Sequence, residues 1–461
     1  MDVSGDRFFP DRPMKISLIN PPIEDFYITG IRRQPLGLLY IAASLREAGY
    51  DPSLLNCHTP KKSIMEIPPQ FVYLEPYLNN HDPYLRFPFK HYSHYGMSWQ
   101  EIERRIKSSP ADIYFISSLF TTYFEETERV IQIIRKFSGS AYVVAGGYHA
   151  SLYPEYFINE ADADFVICGE GETASVDLVQ AVEAGSSLES VPGLVYRNGY
   201  NIRRNPAVSK ADVSTLPRPA RGLLPERDFR AYGRRLVSLI TSRGCPNNCS
   251  FCTGRIIWGQ GRRERPVEDV AGEIRECIEK TGVEIINFED DNLFPSKERA
   301  VRFLEFMIKE REKHPRFPEF TAMNGISIEK LDDEIIELMK HAGFNELNIS
   351  LVTHSGEIQK KENRPFNSDK FRAAAESAKG NGMNVRGYFI LGLPGQDLKE
   401  VNDTISFLER IGVKIFPSVY YNIYSSQDEW KMQRSSAFYN ENHDLTRDDL
   451  LRSFNKCVTG R

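Results

Sequence analysis

An α/β protein of two domains is predicted: a doubly wound, Rossmann-like sheet followed by a partial (β/α)6 TIM-like barrel. Three observations carry the prediction. Short apolar runs alternate with helical patterns over residues 1–195, and six further strand-and-helix alternations occupy 235–425. Between them, 196–234 reads as a linker, with Pro206, Pro217, Pro219 and Pro225. Residues 426–461 form a short polar tail that does not clearly extend the barrel pattern.

Size and composition agree with this division. The 461 residues carry 58 Lys+Arg against 63 Asp+Glu, a net charge of −5, and 41% apolar residues. A chain of that length suits two or three domains. No apolar run approaches the ~18 residues of a membrane span, so no integral membrane segment is expected. The mildly acidic balance argues against general nucleic-acid binding. Met1 to Pro13 is polar and has the pattern of neither a secretory signal nor a transit peptide, so a cytoplasmic location is expected. Seven cysteines, an odd number, cannot form a full disulfide framework.

In the first half, strand Ile16 to Ile19 precedes a helix from Leu38 to Glu47 that stops at Gly49. Strand Ile113 to Ile116 precedes helix Glu125 to Lys136; strand Tyr142 to Ala145 follows, then strand Phe165 to Ile167 with helix Thr173 to Glu183. Apolar strands spaced by helices indicate a parallel sheet covered on both faces. Gly146-Gly147 and Gly169-Glu170-Gly171-Glu172 fall just past strand ends, where such sheets place a ligand crevice, although glycines there also serve as tight turns. Leu194 to Tyr200 reads as a hairpin about Asn198-Gly199. An insertion at 60–97 breaks the rhythm. Its stretch from Phe71 to Tyr95 holds eight aromatics and three prolines, which predicts an ordered excursion packed on a neighbour or lining a pocket.

In the second half the predicted strands are Leu236 to Thr241, Glu284 to Glu289, Glu319 to Met323, Glu346 to Ser350, Val385 to Leu391 and Lys414 to Tyr421. Helices around Val267 to Glu279, Lys297 to Arg311, Asp332 to His341, Asp369 to Gly380 and Leu398 to Arg410 separate them. Six such units suggest a barrel whose chemistry sits at the C-terminal strand ends, with an open doubly wound sheet as the competing arrangement. Directly after the first strand, Cys245, Cys249 and Cys252 fall within eight residues, in a loop marked by Pro246, Asn247, Asn248 and Ser250. Three thiolates so spaced suit a soft metal centre, and a cubane bound by three cysteines leaves one iron without a protein ligand. Zinc is the rival, but a structural zinc site wants a fourth ligand from elsewhere. Cys57, Cys168, Cys277 and Cys457 do not cluster and suggest no second centre; Cys277, at helical spacing from Val270 and Ile274, reads as core.

The Cys-x-x-x-Cys-x-x-Cys spacing, with Phe251 before the last cysteine, resembles the radical S-adenosylmethionine superfamily. The resemblance implies a 4Fe-4S cluster on Cys245, Cys249 and Cys252, whose open iron binds S-adenosylmethionine and whose one-electron reduction releases a deoxyadenosyl radical. It also implies contacts to S-adenosylmethionine from the other strand ends. Glu289 or Asp290, in Phe288-Glu289-Asp290-Asp291-Asn292, would hold the amino group in place of the usual Gly-Gly-Glu-like motif. Asn324 and Ser350 suit the ribose or carboxylate and are equally plausible turn residues; Gly392 and Pro394, in Gly-Leu-Pro-Gly, match the motif near adenine.

The first half resembles the cobalamin-binding domain found in a large subgroup of that superfamily, through Asn20-Pro21-Pro22, Pro35-Leu36-Gly37-Leu38, Ser117-Ser118-Leu119, Ala145 to Ala150 and Gly169 to Glu172. Ser117, Ser118, Leu119, Gly146, Gly147, Gly169, Glu170 and Gly171 are the implied cobalamin contacts. Asn56-Cys57-His58-Thr59-Pro60 lacks the Asp-x-His-x-x-Gly pattern, so cobalamin without a histidine lower ligand is expected. The resemblance implies a methyltransferase moving methyl from methylcobalamin to an unactivated carbon, or phosphorus, by way of the deoxyadenosyl radical. A small-molecule or peptide substrate and an electron donor such as flavodoxin or ferredoxin would be its partners. A non-methylating cobalamin enzyme, such as a cyclase, and a cobalamin-binding regulatory protein are the alternatives. Tyr421 to Ser426 replaces the usual Tyr-x-Pro-Gly-Thr-like segment, and the substrate stays unidentified.

Overall fold

The computed structural model describes residues 12–27, 33–206, 211–365, 367–433 and 438–459. The reading of the polar N-terminus therefore lies, up to residue 11, outside the described residues. Among those described, the chain divides into two compact units. One takes in the chain up to Glu66, Tyr92–Phe229 and Ile256–Gly259; the other takes in Ile67–His91, Arg230–Arg255 and the chain from Gln260 onward.

The first unit is built on strands β1 (Ile16–Asn20), β2 (Ser53–Asn56), β3 (Ile113–Ser117), β4 (Tyr142–Gly146), β5 (Phe165–Ile167), β6 (Leu194–Asn198) and β7 (Asn201–Arg204). They lie in the order β7-β6-β5-β4-β3-β1-β2, with β1 to β5 parallel and the β6–β7 hairpin antiparallel at the edge. The parallel part runs 2-1-3-4-5, so the connections leave β1 and β3 in opposite directions and open a crevice between their C-terminal ends. Central strands such as Ile113 to Ile116 are buried on every residue, as a sheet covered on both faces requires. Helices α1 (Leu36–Glu47), α2 (Trp99–Ser108), α3 (Phe124–Phe137) and α4 (Glu172–Ala184) supply the cover. Leu38, Ala42 and Leu45 of α1 and Leu178 and Val179 of α4 close one core with Leu18, Phe115 and Phe165. Each fully buried Leu or Phe there contributes roughly 1.5–3 kcal/mol.

The second unit contains all six predicted barrel strands: β8 (Arg234–Leu239), β9 (Ile285–Phe288), β10 (Glu319–Thr321), β11 (Glu346–Val352), β12 (Asn384–Leu391) and β13 (Lys414–Val419). They pair in parallel as β8-β9-β10 and β11-β12-β13, and the parallel bridges Phe320–Phe344 and Ile326–Ile349 join the two runs. The helices are α5 (Val267–Thr281), α6 (Lys297–Lys313), α7 (Asp333–Ala342), α8 (Ser368–Gly380) and α9 (Leu398–Ile411). Their starts are fixed chemically. Ser296, Asp332, Asn367 and Asp397 cap α6 to α9 by accepting backbone N–H bonds, and α7 and α9 end at Gly343 and Gly412 in left-handed conformation.

Three boundaries differ from the sequence expectation. The 60–97 insertion, expected inside the first domain, is divided: Ile67–His91 belongs to the second unit. The reason is long-range packing. Tyr73 meets Tyr439 at 5.6 Å, Phe87 meets Phe438 at 5.9 Å, Tyr77 donates to Asp448 at 2.7 Å and Asn455 donates to the carbonyls of Tyr84 and Arg86. Those partners lie in the stretch expected to be a plain tail, which forms helix α10 (Arg447–Thr459). The 196–234 linker is mostly structured within the first unit: β7 completes the sheet edge, and Asp228 is buried and accepts from Asn56 at 2.8 Å.

Candidate functional site

In the second unit, β8 ends at Leu239 and the chain turns through Thr241-Ser242 into the cysteine loop. Asp290, just beyond β9, anchors that turn. Its buried carboxylate accepts from the Thr241 backbone at 2.9 Å, from the Thr241 hydroxyl at 2.8 Å and from the Ser242 hydroxyl. It therefore holds the loop.

Glu289 occupies the other position. Phe288 packs outward against Phe303 of α6, at 5.7 Å, so alternation along the strand places Asn287 and Glu289 on the barrel side. The half-buried Glu289 carboxylate accepts from Asn287 at 2.5 Å, Ser238 at 3.3 Å and Asn324 at 3.2 Å. Asn324 is exposed and also donates to the Glu289 carbonyl at 3.0 Å. Asp291, which sequence reasoning passed over, lies beside Cys245 and Cys252; burial and the neighbouring Asp290 push its carboxyl up to about 6.

Cys245, Cys249 and Cys252 are free thiols within electrostatic range of one another. The Gly254 N–H donates to the Cys252 sulfur at 3.5 Å, and Arg364 Nη1 donates to the Cys249 sulfur at 3.9 Å. Among the described residues no three His, Cys, Asp or Glu side chains are grouped to hold a single metal ion. A structural zinc site wants four ligands, whereas a cubane bound by three cysteines needs no fourth protein ligand. N–H donors directed at sulfur are the partners that thiolate ligands accept. The donor set fits an iron–sulfur cluster. Burial raises the thiols of Cys245 and Cys252 as it raises those of Cys168 and Cys457. What sets the remaining cysteines apart is position, since they do not share the loop after β8, and Cys57 and Cys277 are buried in the core.

At the next strand ends, Ser350 shares a face with the buried Asn348 and sits at a bulge, where Val352 adopts φ of 69°. A β-branched residue in that region is a strained position. Val352 packs with Ile358 and Leu393, against Phe251 and Tyr420. Gly392 and Gly395 have φ of 89° and 86°, and Pro394 is exposed. Gln396, absent from the sequence expectations, fixes this loop: its side-chain oxygen accepts from the N–H of Gly392 at 2.7 Å and of Leu393 at 2.8 Å. Gln396 in turn donates to Glu400, which also accepts from Thr353 and Thr404. The only sequence signal was an amide one residue after a Gly-Leu-Pro-Gly turn.

In the first unit the crevice between β1 and β3 is bordered by Ser117 and Ser118. Ser118 is 1% exposed, and its hydroxyl has no hydrogen-bond partner. Such a group costs roughly 1–3 kcal/mol until something supplies one, so it fits a polar ligand tail. Gly147 has φ of 106°, and a Cβ there would stand 2.6 Å from the Ser118 carbonyl, so only glycine permits this crossing of the loops after β3 and β4. Gly146 is not sterically constrained in this way, and Leu119 is 43% exposed. The Gly169 N–H donates to the Ser151 hydroxyl oxygen at 3.0 Å, and Glu170 accepts from the Ala211 N–H at 3.1 Å. Gly171 has a packing reason: a Cβ would meet Ile41 of α1 at 2.8 Å. Ser175, one turn into α4, also has a buried hydroxyl without a partner, which sequence reasoning missed. His149 is enclosed by Phe124, Tyr153, Tyr156 and Phe157, and burial pushes its imidazole down to about 3.

Comparison with known proteins assigns both units. Residues 239–408 match the radical SAM superfamily, and residues 88–179 match the B12 binding domain. The chain is 25% identical over 449 residues to cytidylyl-2-hydroxyethylphosphonate methyltransferase of Streptomyces wedmorensis, covering 87% of this chain and 78% of that protein. Its fold is that of the radical S-adenosylmethionine methyltransferase TsrM from Kitasatospora setae, with TM-score 0.68, 16% identity and coverage of 88% and 73%. It is also that of the cobalamin-dependent S-adenosylmethionine radical enzyme OxsB, with TM-score 0.65, 16% identity and coverage of 97% and 56%.

Proposed function

The chain is a radical S-adenosylmethionine superfamily enzyme carrying a B12-binding domain, and on that premise we propose that it methylates an unactivated carbon, or phosphorus, of a small-molecule or peptide substrate. One observation carries the reading: a three-cysteine loop fit for a cluster stands at the barrel strand ends of a chain whose other unit keeps an unpartnered serine hydroxyl at its switch-point crevice. The similarity to a methyltransferase over most of the chain supports the choice of reaction.

When bound, the cluster with S-adenosylmethionine supplies a hydrogen-abstracting radical and cobalamin supplies methyl transfer, so the protein's part is to bind and orient. Cys245, Cys249 and Cys252 hold the cluster. Glu289, fixed by Asn287, Ser238 and Asn324, presents a carboxylate for the amino group of S-adenosylmethionine. Asp290 keeps the cysteine loop in place, Gln396 keeps the Gly392 to Gly395 turn in place, and Ser350 offers a polar group between them. Ser117, Ser118 and Gly147 form the cobalamin crevice, with Gly146, Gly169 and Glu170 at the adjoining strand ends. Among the described residues no helix is long and apolar enough to cross a membrane. A low-potential donor such as flavodoxin or ferredoxin, no nucleic-acid partner and a cytoplasmic, oxygen-poor setting complete the reading.

The test is product analysis with S-adenosylmethionine labelled in its methyl group. Label in an acceptor molecule is expected. Deoxyadenosine formed with an unlabelled product would point to a cyclase-like reaction, and absence of deoxyadenosine under strong reductant would point to a regulatory role.

A further inference from the structure

Arg364 is half-buried, and among the described residues its guanidinium forms no ion pair with a carboxylate. Its Nη1 donates to the Cys249 sulfur at 3.9 Å and its Nη2 to the Ser350 carbonyl at 3.4 Å, at the bulge of β11. The same guanidinium acts electrostatically on Cys245. Its position is not left to a flexible loop. Glu362, two residues earlier and buried, grips the cysteine loop twice: its carboxylate accepts the Ser250 hydroxyl and its carbonyl accepts the Ser250 N–H at 3.1 Å. Asn363 adopts φ of 51°, which turns the chain sharply between them. The Arg364 N–H is tied to the Gln359 carbonyl at 2.9 Å, and the Gln359 side chain is tied to the Leu351 and Thr353 carbonyls.

We propose that Arg364 is a positioning residue that eases one-electron reduction of the cluster, by holding a positive charge and an N–H donor against the Cys249 sulfur. Hydrogen bonds to the sulfurs and local net charge set the reduction potentials of such clusters. Reduction adds one negative charge, so a fixed cation beside a ligand sulfur stabilises the reduced state more than the oxidised one. The step adds one electron from a low-potential one-electron carrier and takes up no proton. Arg is the suitable residue, because its fork donates to sulfur and carbonyl together and keeps its charge at every working pH.

The inference rests on Cys245, Cys249 and Cys252 holding the cluster, and one experiment separates the two claims. Wild-type, R364Q and R364K full-length proteins are reconstituted anaerobically, assayed for iron and sulfide, and titrated potentiometrically with detection by electron paramagnetic resonance. No S-adenosylmethionine is added. Failure of the wild type to take up iron would overturn the cofactor reading itself. At equal iron content R364Q is expected to have the lower potential, with about a tenfold smaller reduced-to-oxidised ratio at fixed potential, equivalent to ~59 mV for one electron. R364K keeps the charge without the fork and is expected between them; it carries the test alone if R364Q loses iron. Variants that match the wild-type midpoint at equal iron content overturn the proposal.

Discussion

Glu289 and Asp290 are adjacent in sequence and do different things, because one lies on the barrel side of a strand end and the other reaches across to the preceding loop. Replacing Asp290 with Ala leaves the Thr241 N–H and the Thr241 and Ser242 hydroxyls without their acceptor. At ~1–3 kcal/mol for each buried group left unsatisfied, the loss of stability is expected to be at least about 3 kcal/mol, measured by chemical denaturation. Glu289→Gln has a different signature. The amide oxygen can still accept from Asn287 and Ser238 and the exposed Asn324 can turn to water, so the loss of stability is small, about 1 kcal/mol or less. S-adenosylmethionine binds about tenfold more weakly by calorimetry, because an ionic contact is replaced by a neutral one. His149 gives a pH prediction. Its imidazole is held down to about 3 by burial, against the ordinary 6.5 of an unfolded chain. The stabilisation is thus full above pH 6.5 and falls as the pH drops toward 3, by up to about 1.4 kcal/mol per unit. His149→Phe is expected to flatten that dependence in urea melts of the protein; an unchanged slope would assign it to other groups.

The strands and helices themselves were largely legible in sequence, and the reasons are local. Strands such as β3 are continuous apolar runs, and α7 and α9 begin at an aspartate and end at a glycine, so their limits lie within a residue or two of expectation. What sequence could not show is how elements hold one another. The Gly392 to Gly395 turn looked like a self-contained motif, yet its geometry depends on Gln396 and, through Glu400, on Thr353 at the end of the previous barrel strand. Gln396→Ala is expected to destabilise the protein by ~2–6 kcal/mol through two unpaired N–H groups, and to weaken S-adenosylmethionine binding as well. Gly147 was legible as a glycine, but not as a crossing point. Gly147→Ala places a methyl group against the Ser118 carbonyl, and cobalamin retention is expected to fall while cluster content is unaffected.

Across the whole molecule, two resemblances that began as separate motifs now sit on two units, a 2-1-3-4-5 sheet with its crevice and a six-stranded barrel with its cysteine loop. The aromatic segment was the least legible part, because its partners lie far away in the chain: Tyr77 and Asp448 are 371 positions apart. No local pattern reveals such a pairing. If the chain transfers methyl from methylcobalamin as proposed, each turnover uses one S-adenosylmethionine to remethylate cobalamin, leaving S-adenosylhomocysteine, and a second as the source of the deoxyadenosyl radical. The most direct measurement is the ratio of S-adenosylhomocysteine to deoxyadenosine released per turnover by the cobalamin-loaded, anaerobically reduced protein with its acceptor present. Equal amounts are predicted, whereas deoxyadenosine without S-adenosylhomocysteine would contradict the account.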